Sequence, residues 1–262
     1  MIDFFIDLNP ILQALLATTM TYLFTVAGSA LVFPFKNVKR NLMDGMLGIA
    51  SGVMIAASFF SLISPAIDYA NDLGQIPWLV VSLGFAFGGI LLFLTDKISS
   101  NFLDKYPDAS QKKRTFMLLF SITIHNIPEG LVVGLAFGSI AYGNATTISA
   151  CLLALGIGIQ NFPEGSALSL PLRRDGMSAP KAFFLGQISG IVEPIAGLIG
   201  AILVLKVQSI LPIMLSFAAG AMIYVVVEEL IPESQTNKRK DLMALFTILG
   251  FIIMMILDVA LS

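Results

Sequence analysis

His125-Asn126-Ile127-Pro128-Glu129-Gly130 lies inside a long apolar run, where a carboxylate and an imidazole do not belong unless they have work. The stretch is echoed once, as Gln160-Asn161-Phe162-Pro163-Glu164-Gly165, with 35 residues separating Glu129 from Glu164. A charge at the centre of a membrane helix costs roughly 2.5–3.5 kcal/mol on insertion scales. Two sites sharing the core Asn-x-Pro-Glu-Gly make coincidence a poor explanation.

The surrounding composition supports a membrane setting. Of 262 residues, 56% are hydrophobic and 12% charged, against about 25% charged in soluble domains, and the mean hydropathy is +0.88. The chain therefore reads as an all-α integral membrane protein. Its single cysteine, Cys151, excludes an internal disulfide and a thiolate-rich metal site. Nothing in the sequence resembles a nucleic-acid-binding element, a phosphate loop or a nucleophile arrangement, so neither an ATPase nor a hydrolase is expected.

A spanning helix needs about 20 apolar residues. Eight such runs are expected, over 9–33, 43–67, 76–96, 115–139, 146–171, 180–205, 209–231 and 241–261, as a single domain covering 1–262. The first is too long for a signal peptide's apolar core, and Asp3 and Asp7 precede it without Lys or Arg. Basic residues fall in alternate connections. Lys36, Lys39 and Arg40 occupy the first; Lys97, Lys105, Lys112, Lys113 and Arg114 the third. Arg173, Arg174 and Lys181 mark the fifth, and Lys238, Arg239 and Lys240 the seventh. Only Lys206 falls on the other side. The positive-inside rule then places both termini outside the cytoplasm, in a plasma or inner membrane. The third connection, 97–114, is expected to be a mobile cytoplasmic loop; it carries no histidine, since His125 is the only one in the chain.

Consecutive spans run antiparallel, so the two motifs face each other with opposite polarity, as in inverted-repeat transporters with midplane sites. His125, Asn126 and Glu129 share one helix face by their spacing, as do Gln160, Asn161 and Glu164. Pro128 and Pro163 lack an N–H and should kink helices 4 and 5, leaving the carbonyls of Ile124 and Ile159 in need of other partners. Gly130 and Gly165 allow close helix approach. Glu193, before Pro194, adds a third acid near the middle of the sixth span. Three carboxylates brought together there would repel one another, so protons or a divalent cation must compensate. Taken singly, an intramembrane Glu can be a protonated hydrogen-bonding partner and a Pro a mere kink; the duplication argues for more. The mixed nitrogen and oxygen set suits Zn, Fe, Mn or Cd and does not choose among them.

At these residues the chain resembles the ZIP (Zrt/Irt-like) family of divalent-metal transporters, within its GufA-like branch, of which Gln160 is a feature. The resemblance spans all eight helices and is most specific at the two motifs and at Glu193-Pro194. It implies a binuclear site. One ion would be held by His125, Glu129, Gln160 and Glu164, the second by Asn126, Glu129, Asn161, Glu164 and Glu193. Some relatives carry Asp where this chain has Asn161, a change that weakens the second position. Met54 matches a soft ligand of related proteins, and also fits a plain packing role. The resemblance further implies a homodimer in the lipid bilayer and an elevator motion. Helices 1, 4, 5 and 6 would carry the metals against a scaffold of helices 2, 3, 7 and 8. Gly52, Ala56, Ala57, Gly84, Gly88 and Gly89 would either permit that sliding or simply pack closely.

With this orientation, Ser61 and Asp68 are candidate first contacts for an incoming cation. Asp44, Asp96, Glu228 and Glu229 are candidate receivers on release, each also readable as a solvated helix-end charge. The expected function is transport of divalent metal, zinc first with Cd²⁺, Fe²⁺ and Mn²⁺ as further candidates, into the cytoplasm without an organic cofactor. A metal-selective channel, an intramembrane metalloenzyme and a proton-coupled solute carrier are the alternatives. No His-Glu-x-x-His pattern supports the enzyme.

Overall fold

Eight long helices account for nearly all of the chain in the computed structural model, which describes residues 5–35, 39–104, 110–143, 145–174 and 176–261. They are α1 (Pro10–Val32), α2 (Arg40–Asp72), α3 (Pro77–Asp104), α4 (Ser110–Ser139), α5 (Thr147–Arg174), α6 (Ala179–Lys206), α7 (Gln208–Ser234) and α8 (Lys240–Leu261). No strand occurs among the described residues. Asn9 starts α1 by accepting the Leu12 N–H at 2.9 Å, with Pro10 in the first turn where its missing N–H costs nothing. Gly74, Gly143 and Gly176 close three connections with positive φ, a conformation only glycine adopts freely.

Several helices outrun their apolar stretches. α3 continues to Asp104 and α4 starts at Ser110, so helix occupies much of the 97–114 segment expected as a loop; residues 105–109 lie outside the described residues. Hydrocarbon thickness limits the apolar run, not the backbone hydrogen bonding that carries a helix onward. Both α4 and α5 continue through Pro128 and Pro163, and α5 also through Pro171.

Seven of the eight helices are long and apolar enough to cross a membrane on composition alone. The eighth, α5, has the length but carries Gln160, Asn161 and Glu164. More than half of its residues are buried, Gln160, Asn161 and Glu164 among them, so these polar residues meet protein rather than lipid. α3 and α8 do the reverse and turn Trp78, Leu83, Phe87, Leu245, Ile256 and Val259 outward.

The helices fall into two sets of four. Within α1, α4, α5 and α6 every pair is in contact, and α1 with α5 and α4 with α6 pack most extensively. In the other set α2 packs along α8 and α3 along α7. Glycines set these distances. A Cβ at Gly28 would strike the Phe162 carbonyl across α1 and α5, and one at Gly134 the Gly197 carbonyl across α4 and α6. Gly52 meets Thr247 of α8, while Gly84 and Gly88 meet Ile213 and Phe217 of α7. Gly89 lies 3.6 Å from the Gly220 oxygen by the same measure. Gly52, Gly84, Gly88 and Gly89 thus meet partners inside the second set.

Candidate metal centre

Two helices that cannot come close without their glycines bring the acids together. A Cβ at Gly130 would stand 2.6 Å from Glu193 Cα, and one at Gly165 would run into the Thr25 carbonyl. The glycine after each motif glutamate thus lies at a backbone contact, of α4 with α6 and of α5 with α1. α6 contributes through a break of its own: a 3-10 turn at Ser189–Ile191 precedes the segment Val192–Lys206, whose first turn holds Glu193.

His125, Asn126, Glu129, Gln160, Asn161, Glu164 and Glu193 are all buried, none more than 6% exposed. Gln160 Nε2 donates to Glu129 Oε1 at 2.7 Å, and Asn161 Nδ2 donates to Glu193 Oε2 at 2.8 Å. Each α5 amide thus reaches an acid of a neighbouring helix. Glu129 lies within Coulombic reach of both Glu164 and Glu193. What remains open is more informative. His125 Nε2, both polar atoms of the Asn126 amide, Glu129 Oε2, Gln160 Oε1, Asn161 Oδ1 and Glu164 Oε1 are buried without a hydrogen-bond partner. An unsatisfied buried polar atom costs about 1–3 kcal/mol, so a fold does not concentrate so many by accident. Five are oxygens and one is an imidazole nitrogen, acceptors that a borderline divalent cation takes, whereas Asn126 Nδ2 is a donor and would not ligate. Met54 is fully buried in the main apolar core.

Polar groups continue from this centre toward both membrane faces. One turn before Glu129, His125 Nδ1 stands 3.5 Å from Glu229 Oε2, and Asp96, His125 and Glu229 can place ligand atoms within 4.8 Å of one another. These residues come from α3, α4 and α7, and Tyr224 of α7 is hydrogen-bonded to Asp96. Glu228 is exposed beside them. In the other direction, Ser61 and Asp68 line a cavity of about 400 Å³ together with Tyr69, Asp72, Ser139 and Asp258. Ser61 Oγ donates to Asp258 Oδ1 at 2.7 Å. Ser139 is ten residues beyond Glu129 on α4, about 15 Å along the axis at 1.5 Å per residue. Asp44 joins neither cluster. It is buried at the start of α2, accepts from Asn237 Nδ2 at 2.7 Å and lies 3.6 Å from Arg40 Nε.

Sequence reasoning missed Asp258 and the α1 hydroxyls. Asp258 is the only charged residue after Asp241, which was signal enough. Thr18, Thr21, Thr25 and Ser29 recur every three or four residues on α1 and are all buried; Thr21 donates to Glu193 Oε2.

Residues 104–258, more than half of the chain, match the family model described as ZIP zinc transporter. The chain belongs to the ZIP family. Over 331 aligned positions it is 39% identical to zinc transporter ZIP11 of Xenopus tropicalis, covering 97% of this chain and 98% of the relative. It is 32% identical to zinc transporter GufA of Myxococcus xanthus, covering 96% and 98%. Zinc transporter ZIPB of Bordetella bronchiseptica is 33% identical over 91% of this chain and 78% of its own length. This ZIP chain thus falls among transporters, not enzymes, and it is a multi-pass membrane protein.

Proposed function

We propose that this ZIP protein carries divalent metal ions, zinc first among them, across the membrane into the cytoplasm by alternating access. The observation that carries the reading is the group of unpartnered buried ligand atoms on the two motifs. An ion held by His125, Glu129, Gln160 and Glu164 would satisfy most of them, with Glu129 and Glu164 also facing a second position formed by Asn126, Asn161 and Glu193. The names of the relatives, all zinc transporters, support zinc as the substrate. The donor set admits Cd²⁺, Fe²⁺ and Mn²⁺ as competitors.

The flanking clusters supply a route. Asp68, Asp258 and Ser61 would gather the hydrated ion and exchange its first waters. The motif ligands would then complete its shell in a water-poor interior. His125 faces two ways, with Nδ1 toward Glu229 and Nε2 open. Rotation of one ring would therefore hand the ion to Asp96 and Glu229. The mutual contact of α1, α4, α5 and α6 supports their moving as one body against the paired helices α2/α8 and α3/α7. The distribution of basic residues supports uptake toward the cytoplasm with both termini on the far side. The outward faces of α3 and α8 are available to lipid or to a second copy in a homodimer.

Proteoliposome uptake tests the reading, with Zn²⁺ as substrate and Cd²⁺, Mn²⁺ and Fe²⁺ as competitors. Glu129→Ala and Glu164→Ala should each abolish saturable uptake in folded protein. Uptake retained by either variant would refute the shared-ligand role, and a rate that never saturates would favour a channel.

A further inference from the structure

The three buried motif acids are not equally open. Glu129 Oε2 and Glu164 Oε1 lack partners, whereas both oxygens of Glu193 are engaged. Glu193 Oε2 accepts from Asn161 Nδ2 at 2.8 Å and from the Thr21 hydroxyl, and Oε1 faces Thr25 Oγ1 at 3.5 Å. Thr21 is fully buried on the face of α1 that packs against α5 and α6. The Thr18 carbonyl, 2.9 Å from the same hydroxyl, is the alternative acceptor for its single proton, and the shorter contact is the one to Glu193 Oε2. A carboxylate oxygen has two lone pairs in its plane. Asn161 and Thr21 both donate to Oε2, so Oε1, whose one contact is the longer one from Thr25, is the oxygen better placed to face an ion.

We propose that Thr21 is a positioning residue of the metal centre, which together with Asn161 ties up Glu193 Oε2 and makes the second ion position the weaker one. This rests on the reading of the centre as a divalent-cation site. The two donors offset the charge of Glu193 when no ion is present. They also prevent it from chelating with both oxygens. An ion at the second position must therefore be held by Glu193 Oε1, by the neutral oxygens of Asn126 and Asn161, and by whatever the bridging acids can spare. Ligand binding responds only to differences between the bound and free states. Hydrogen bonds that favour ion-free Glu193 count against the second ion and leave the first, held by His125, Glu129, Gln160 and Glu164, untouched.

The test is calorimetric zinc titration of purified full-length protein in detergent, with size-exclusion behaviour and thermal unfolding as checks on folding. Thr21→Val keeps the shape and deletes the hydroxyl. It should tighten the second binding step about tenfold, a conservative share of what a hydrogen bond to a charged group is worth, with the first step unchanged. Thr21→Ser restores the donor and should titrate as the parent. Thr18→Val is the matched control: Thr18 is equally buried on α1, but its hydroxyl serves the Ala14 carbonyl at 2.7 Å, so the second step should not move. A second step that is unchanged or weaker in Thr21→Val, or one that tightens equally in Thr18→Val, overturns the proposal. Failure of the parent to bind zinc at all, or binding undiminished in Glu129→Ala, would instead overturn the site reading beneath it.

Discussion

Gly130→Ala probes the closest approach at the centre with a single methyl group. The added Cβ would stand 2.6 Å from Glu193 Cα and 2.9 Å from its carbonyl carbon. Those atoms are backbone, so no side chain can swing aside. The Glu193 carbonyl oxygen is nearer still, so restoring an ordinary contact of 3.4 Å requires α4 and α6 to separate by about 1 Å. Overpacking of this kind costs about 1–3 kcal/mol, which thermal unfolding of the detergent-solubilised protein would register. The functional effect should be larger than the stability effect. Metal–ligand distances tolerate only about 0.2 Å, and misplacement of about 1 Å can cost a hundredfold where geometry is demanding. Zinc uptake into proteoliposomes should accordingly fall by about ten- to a hundredfold in protein that remains folded. Gly89→Ala is the control: its Cβ would meet the Gly220 oxygen at an unstrained 3.6 Å, so both stability and uptake should be retained. Near-parental zinc affinity and transport in Gly130→Ala would show that Glu193 is not held at a functional distance by this contact.

Other substitutions separate the parts of the centre and its approaches. Gln160→Ala removes both an open oxygen and the donor that orients Glu129, and should weaken the first zinc-binding step about 10–100-fold in a calorimetric titration, as loss of an orienting partner does elsewhere. Asn161→Asp replaces the donor to Glu193 with a second acid; the second binding step should tighten, and an unchanged affinity and stoichiometry would count against that position. Asp258→Asn leaves the motifs intact but removes one of the three acids lining the cavity at Ser61, so the zinc concentration for half-maximal uptake should rise while the saturated rate holds. Gly88→Ala drives a Cβ into the Phe217 backbone within the α3/α7 pair; it should lower thermal stability yet leave zinc stoichiometry unchanged, as measured on the folded fraction.

Much of the fold is legible because lipid imposes a simple rule on sequence. Long apolar runs and alternating basic connections outline all eight helices, including α5, which composition alone passes over. The motifs themselves single out α5, since Gln160, Asn161 and Glu164 repeat the pattern set by His125, Asn126 and Glu129. Hydroxyls are harder to read. Thr18 bonds the carbonyl four residues back, as helical Thr commonly does, and nothing local distinguishes it from Thr21, whose partner lies 172 residues away in sequence. Glycine is equally silent about its neighbour. Gly52 and Gly88 announce a close approach, but only the packing reveals that α8 and α7 make it. Asp44 is a mixed case: Arg40 four residues earlier is a readable i, i+4 partner, whereas Asn237 reaches it through tertiary structure.

Helices α2 and α7 are each interrupted by a π-helical turn, at Ser58–Ile63 and at Val226–Leu230, and a proline follows shortly in both, Pro65 and Pro232. A wide turn of this kind holds one residue more than the α path needs, so the two halves of each helix are about 100° out of phase. Ser61 and Glu229 both lie within these turns. The surplus residue shifts the helical phase where Ser61 meets Asp258 and Glu229 meets His125. Excising one residue from Val226–Leu230 would straighten the coil, shorten it by barely a rung, and carry Glu229 round the axis away from the imidazole it now faces.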